Sequence, residues 1–205
     1  MNKVHLSIIG GVLATVFLIG ILFVIVTNDD DNHDQTQHSF DHEAVEVTAS
    51  DDGAINASKL FIPWTINKNG NTFYLSQRDG TVIEIDGEFG LVEVQEVALA
   101  KEVHHEGEGG FLGFTLDPEF ETTNKAYAYH TYQEDGKTLN RIVSLVLDNN
   151  TWEEEDILLE NIPGGEINNG GRIEVGPDGY LYATTGDTGE GETAQDLESL
   201  AGKIL

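Results

Sequence analysis

Four polar groups in this 205-residue chain have side chains able to act on a substrate. They are Asn168-Asn169-Gly170-Gly171-Arg172, Thr184-Thr185-Gly186-Asp187, His104-His105-Glu106-Gly107-Glu108, and the run from Asp148 to Asp156. An asparagine such as Asn168 can position a hydroxyl through its carbonyl oxygen, but its amide does not titrate and cannot take a proton. Asp187 stands in Gly186-Asp187-Thr188-Gly189, which is by itself ordinary turn chemistry. Arg172 follows two glycines, where its guanidinium can either grip a carboxylate bidentately or tie down a neighbouring loop. His104 and His105, with Glu106 and Glu108, offer a base or metal ligands. Their spacing matches no standard zinc pattern, so solvated loop histidines are the preferred account. Asp148–Asp156 is rich in oxygen ligands, yet it lacks the glycine and the acid that an EF-hand needs at its sixth and twelfth positions. It reads as a strand-connecting turn, and no metal site is assigned anywhere.

The elements that must position these groups are strands. From Leu60 onward apolar and polar residues alternate and glycine turns interrupt them, the pattern of antiparallel pairs. Phe73–Ser76 and Thr81–Ile85 flank Asp79-Gly80, and Ala126–Tyr132 and Arg141–Leu147 flank Asp135-Gly136. Both read as hairpins whose Asp-Gly supplies positive φ. Helical periodicity is absent there except for a short turn expected around Ala194 to Leu200. A unit recurs: an apolar strand, a turn, then an aromatic strand. It appears at Trp64-Thr65-Ile66 with Thr72–Ser76, at Leu112–Leu116 with Ala126–Tyr129, and at Arg172–Val175 with Tyr180–Thr184. Ile66, Phe114 and Ile173 are 48 and 59 residues apart, close to the ~40–50 residues of a four-stranded propeller blade. About three such blades fit the chain, with open blade edges through which self-association is expected.

The amino-terminal part is different in kind. Leu6 to Val26 contains no charge, and Ser7 and Thr15 are its only polar side chains. At ~1.5 Å per residue it spans roughly a 30 Å hydrocarbon core, so residues 6–26 are read as a transmembrane helix within an uncleaved signal anchor, residues 1–27. Lys3 and His5 precede it and Asp29-Asp30-Asp31 follow it. The basic side stays in the cytoplasm, which sends the rest of the chain outward. Residues 28–58 are an acidic polar tether with too few apolar groups to fold alone. His33, His38 and His42 within it are read as incidental.

The formal net charge is −27, with 37 acidic residues against 10 basic ones, and no cysteine is present. Every acid and every base except Lys3 lies beyond the apolar run. Such a field repels nucleic acid and anionic lipid, and excludes both as partners. The acids are scattered, which suits a solvated surface in high salt better than a cation store. Without cysteine there is neither a disulfide nor a lipid-modified cysteine anchor.

Taken together, Leu60–Ile66, Gly107-Glu108-Gly109-Gly110-Phe111-Leu112-Gly113 with Asp117-Pro118-Glu119-Phe120, and the Gly-Gly-Arg, Gly-Pro-Asp-Gly, Thr-Thr-Gly-Asp and Leu200–Leu205 segments resemble the PQQ-dependent glucose/sorbosone dehydrogenases, also called soluble aldose sugar dehydrogenases. The resemblance covers residues 59–205. It implies an all-β fold, here an incomplete six-bladed β-propeller preceded by the transmembrane helix. It also implies oxidation of an aldose at its anomeric carbon, with hydride passing to PQQ, and a calcium requirement.

By the same resemblance, Asn168 falls where the family has its base histidine, Asp187 falls on the orienting aspartate, Glu108 on a substrate-facing position, and Arg172 on a candidate contact to the quinone. General-base assistance is worth ~10²–10⁴ in rate, so an amide at position 168 predicts an inactive polypeptide. Most of the family's PQQ and calcium contacts come from blades beyond the Leu200–Leu205 strand. Two expectations follow: a truncated, membrane-anchored extracytoplasmic sugar dehydrogenase, or a non-catalytic propeller remnant that binds sugar or a partner protein.

Overall fold

Turn chemistry lays out the strands. The computed structural model describes residues 45–49 and 55–205, all within one compact unit, Asp41–Leu205. The predicted membrane helix 6–26 and the tether histidines lie outside the described residues. Among the described residues no helix is long and apolar enough to cross a membrane.

A short hairpin of β1 (Glu46–Ala49) and β2 (Ile55–Ser58) precedes the main body, so the end of the expected tether is strand, with Val45 and Ala57 packed against Leu75, Ile83 and Ile85. The first four-stranded meander comprises β3 (Pro63–Asn69), β4 (Thr72–Gln77), β5 (Thr81–Asp86) and β6 (Val92–Ala98), each antiparallel to the next. At the β4–β5 turn the Asp79 carboxylate accepts from both the N–H and the hydroxyl of Thr81, at 3.1 and 2.8 Å, which closes the predicted hairpin.

The second meander comprises β7 (Phe111–Leu116), β8 (Lys125–Glu134), β9 (Lys137–Asp148) and β10 (Thr151–Pro163). Asp135 and Gly136 both have positive φ, 50° and 72°, the two-residue turn whose twist matches its flanking strands. A four-residue helix, α1 (Phe120–Thr123), links β7 to β8. Its single inward side chain, Phe120, leaves no periodicity for a sequence reading to detect.

The run Asp148–Asp156 corrects its sequence reading. Only Asn149 and Asn150, both at positive φ, form the turn, and Thr151–Asp156 continues as strand β10. Trp152 points inward and is fully buried while Glu153 points out, so Glu153, Glu155 and Asp156 are exposed on a strand, and Glu154 is turned to the buried Arg141. Helical structure near the end of the chain also differs: it is a 3₁₀ turn at Gly191–Gln195, earlier than expected.

The two meanders join through their outermost strands, β6 and β10, in a short parallel pairing that sets Trp152 opposite Val97. The sheet order is therefore β3-β4-β5-β6-β10-β9-β8-β7. Between them Tyr74, Phe111, Phe114, Phe120 and Trp152 form an aromatic core, in which Phe114 meets Trp152 edge-on at 5.0 Å. The Trp152 indole donates to Gln95 at 2.7 Å, and Gln95 donates onward to Glu84 at 2.6 Å.

A third unit starts with β11 (Gly170–Val175) and β12 (Leu181–Thr185), to which Lys203–Leu205 adds along β12. Leu112, Tyr129, Ile142 and Ile173 pack this unit against the second meander. First strands β3, β7 and β11 thus lie beside one another, and the described part is all-β and propeller-like. The three repeated strand pairs read from the sequence are β3/β4, β7/β8 and β11/β12.

Candidate functional site

Three loops meet at Asn168: the loop before β7, the loop before β11, and the loop after β12. The backbone of Asn168 is left-handed, φ 54°, which asparagine tolerates better than most residues. That conformation lets main chain and side chain bond in different directions. Its main-chain N–H donates to the Glu108 carboxylate at 2.7 Å, and its side-chain amide donates to the Asp187 carboxylate at 2.8 Å.

Each carboxylate is held in turn. Asp187 also accepts from the Gly189 N–H at 3.0 Å. That bond first, and the Asn168 amide second, hold the Asp187 carboxyl below the usual carboxylate range. Glu108 is anchored through its own N–H, which donates to the Glu166 carbonyl at 2.8 Å. Neighbouring Asn169 is buried. Its side chain accepts from Gly165 N–H at 3.0 Å and donates to the Gly165 carbonyl at 2.8 Å, and its main-chain carbonyl accepts from the Tyr129 hydroxyl at 3.0 Å. Gly186 is required as glycine, since a Cβ there would overlap the Asn168 carbonyl oxygen.

The structure therefore brings together three of the residues singled out from the sequence, Glu108, Asn168 and Asp187. The fourth, Arg172, is turned elsewhere. Its guanidinium donates to the Trp64 carbonyl at 2.6 Å and stacks over the Trp64 ring at 5.1 Å, tying β11 to β3. Of the two loop histidines, His104 lies with its Nε2 3.2 Å from the Gln133 amide nitrogen. Sequence reasoning missed the positioning partners Gly189 and Glu166, which act through their main chain and so carry no side-chain signal, and it gave Asn169 no role of its own.

Such a group can hold a polyhydroxylated molecule. Two carboxylates accept from hydroxyls, and the amide oxygen of Asn168 accepts as well, while its nitrogen is committed to Asp187. The group contains no imidazole, and Asp187 is stabilised as the anion.

The sequence profile of the glucose/sorbosone dehydrogenases matches residues 60–205. The chain belongs to that family. The quinoprotein glucose dehydrogenase B of Acinetobacter calcoaceticus is 27% identical over 135 residues, 60% of this chain and 28% of the relative. The aldose sugar dehydrogenase YliI of Escherichia coli K12 is 29% identical over 104 residues, 48% of this chain and 28% of the relative. The PQQ-bound form of aldose sugar dehydrogenase from Streptomyces coelicolor superimposes with a TM-score of 0.63 at 34% identity, covering 79% of this chain and 47% of that one. The chain thus spans less than half the length of these relatives.

The site residues can be tested against the quinone the family implies. PQQ is a polycarboxylate and needs cations. The three residues gathered here are two carboxylates and an amide, and Arg172 is turned away from them, with one terminal nitrogen on the Trp64 carbonyl. These residues do not by themselves fit the quinone. Among the described residues no group of three or more His, Asp or Glu is arranged to hold a metal ion.

Proposed function

We propose that this chain is a membrane-anchored, extracytoplasmic member of the PQQ-dependent aldose dehydrogenase type, built on a six-bladed propeller plan. In this reading Glu108, Asn168 and Asp187 are its sugar-facing group, which positions an aldose hydroxyl without removing its proton. One observation carries the reading. Asn168, which in this reading takes the family's base position, is hydrogen-bonded to both carboxylates, at 2.7 and 2.8 Å. Geometry for holding a hydroxyl is kept where the titrating group is replaced by an amide.

Anchoring rests on the uncharged run Leu6–Val26 and its basic-before, acidic-after flanks. PQQ and calcium come from family membership, with their contacts supplied by residues other than these three. The alternative, a non-catalytic propeller module that binds sugar, is favoured for this polypeptide on its own by the same Asn168. Exposed Ile66, Tyr180 and Ile204 on the β3 and β11–β12 faces support self-association.

Calorimetric titration of the full chain with glucose and other aldoses tests the site. Saturable binding that falls tenfold or more in Glu108→Ala and Asp187→Ala, about the loss of one charge-assisted hydrogen bond, is the expected result. Binding unaffected by either substitution would remove these residues from the site.

A further inference from the structure

Glu108 is the only member of the site carried on the loop before β7, and that loop has no regular secondary structure to hold it. What fixes it comes from the first meander, which contributes no side chain to the site. Arg78, in the β4–β5 turn, sends its guanidinium into the loop. Nε donates to the Gly109 carbonyl at 3.0 Å, and one terminal nitrogen donates to the carbonyls of His105 and Gly107, at 3.1 and 2.7 Å. The Arg78 carbonyl accepts from the Phe111 N–H at 2.9 Å. Arg78 thus holds the loop at every second residue from His105 through Gly107 and Gly109 to Phe111.

The fit is close. Gly110 has φ +137°, and a Cβ there would lie 2.6 Å from the Arg78 carbonyl oxygen. A Cβ on Gly107 would run into the Glu166 carbonyl, the same carbonyl that accepts from the Glu108 N–H. Glu108 is consequently held between Arg78 on one side and the loop before β11 on the other. Charge does not account for the choice of partners. The chain has 37 acidic residues, yet the three side-chain bonds of this arginine go to neutral carbonyls. The arginine fork reaches these carbonyls from two separate nitrogens in a fixed plane, whereas a lysine would have to serve all of them from a single point.

We infer that Arg78 is a positioning residue of the sugar-facing site: it sets the loop His105–Gly110 so that the Glu108 carboxylate reaches the main-chain N–H of Asn168. The inference rests on the reading of that group as sugar-facing only for what Glu108 is held to do. Arg78 touches no substrate in this scheme and acts through main-chain carbonyls.

The test uses the full chain with Arg78→Lys and Arg78→Met, followed by amide resonances and amide exchange, with glucose as the probe ligand. Glu108→Ala marks the position the Asn168 amide proton takes when its carboxylate is lost. In both Arg78 variants that proton moves toward the marked position, and exchange at the Glu108 amide quickens at least ~10-fold, about what losing one charged hydrogen bond implies. Amides of β8 and β9 stay protected, and glucose affinity drops as in Glu108→Ala. An unchanged Asn168 amide and unchanged Glu108 exchange in both variants would overturn the inference. So would loss of β8–β9 protection in Arg78→Lys, which would make Arg78 a folding residue. If the loop responds as expected but the wild type binds no glucose, the positioning role stands and the sugar reading fails.

Discussion

Replacing His130 with glutamine should remove a defined part of the acid sensitivity of this fold. His130 lies on β8, opposite Arg141 of β9, and both side chains are fully buried. Burial, first of all, pushes the imidazole down from 6.5 to about 4, and the charges of Arg141 and Lys101 push the same way, against the Thr131 carbonyl. The unfolded chain therefore takes up a proton near 6.5 that the folded chain refuses until about 4. The stability this implies is intact above the unfolded value and is lost as pH falls through the folded one. At about 1.4 kcal/mol per pH unit, the loss across that window is about 3 kcal/mol. Glutamine keeps an amide donor for the Thr131 carbonyl but does not titrate. Urea unfolding at pH 7, 6, 5 and 4 gives the comparison. The wild type should lose about 3 kcal/mol more than His130→Gln over that range, whatever the other acids contribute to both. Parallel pH slopes in the two proteins would refute the reasoning.

Other perturbations reach the core and the charge. Trp152→Phe removes the indole bond to Gln95 and leaves a buried acceptor behind, so urea unfolding should register a loss of about 1–3 kcal/mol, whereas Trp152→Ala should lose about 3–5 kcal/mol. With a net charge of −27, self-repulsion should weaken as the screening length falls from ~10 Å at 0.1 M salt to ~3 Å at 1 M. The melting temperature should accordingly rise with potassium chloride, and a flat dependence would mean that self-repulsion among the acids costs the fold little.

What could be read from the sequence was whatever is encoded locally. Asp79-Gly80 and Asp135-Gly136 mark their hairpins because each turn needs positive φ at a known place. Arg141–Leu147 falls inside β9 because its burial follows the strand. The β6–β10 pairing is different in kind. It joins Glu96 to Thr151 through main-chain bonds that leave no trace in side-chain type. The start of β10, Thr151–Asp156, reads as part of a turn because the acids from Glu153 to Asp156 mask the inward-pointing Trp152. At the site, the bond from Asn168 to Asp187 joins residues singled out in advance, since each stands in a short glycine-rich polar run that can be picked out in the sequence. Arg78 and Glu166 escaped because they act on or through carbonyls, which every residue type has. Arg172 was read two ways, and the structure turns it toward Trp64.

The central claim is that Asn168 holds a hydroxyl where a base would otherwise remove its proton. The most direct measurement follows glucose labelled with ¹³C at its anomeric carbon, incubated with the full chain, PQQ and calcium. The account predicts that this carbon keeps its aldose resonances, as in the protein-free control. Lactone or aldonate carbon accumulating above that control would contradict it.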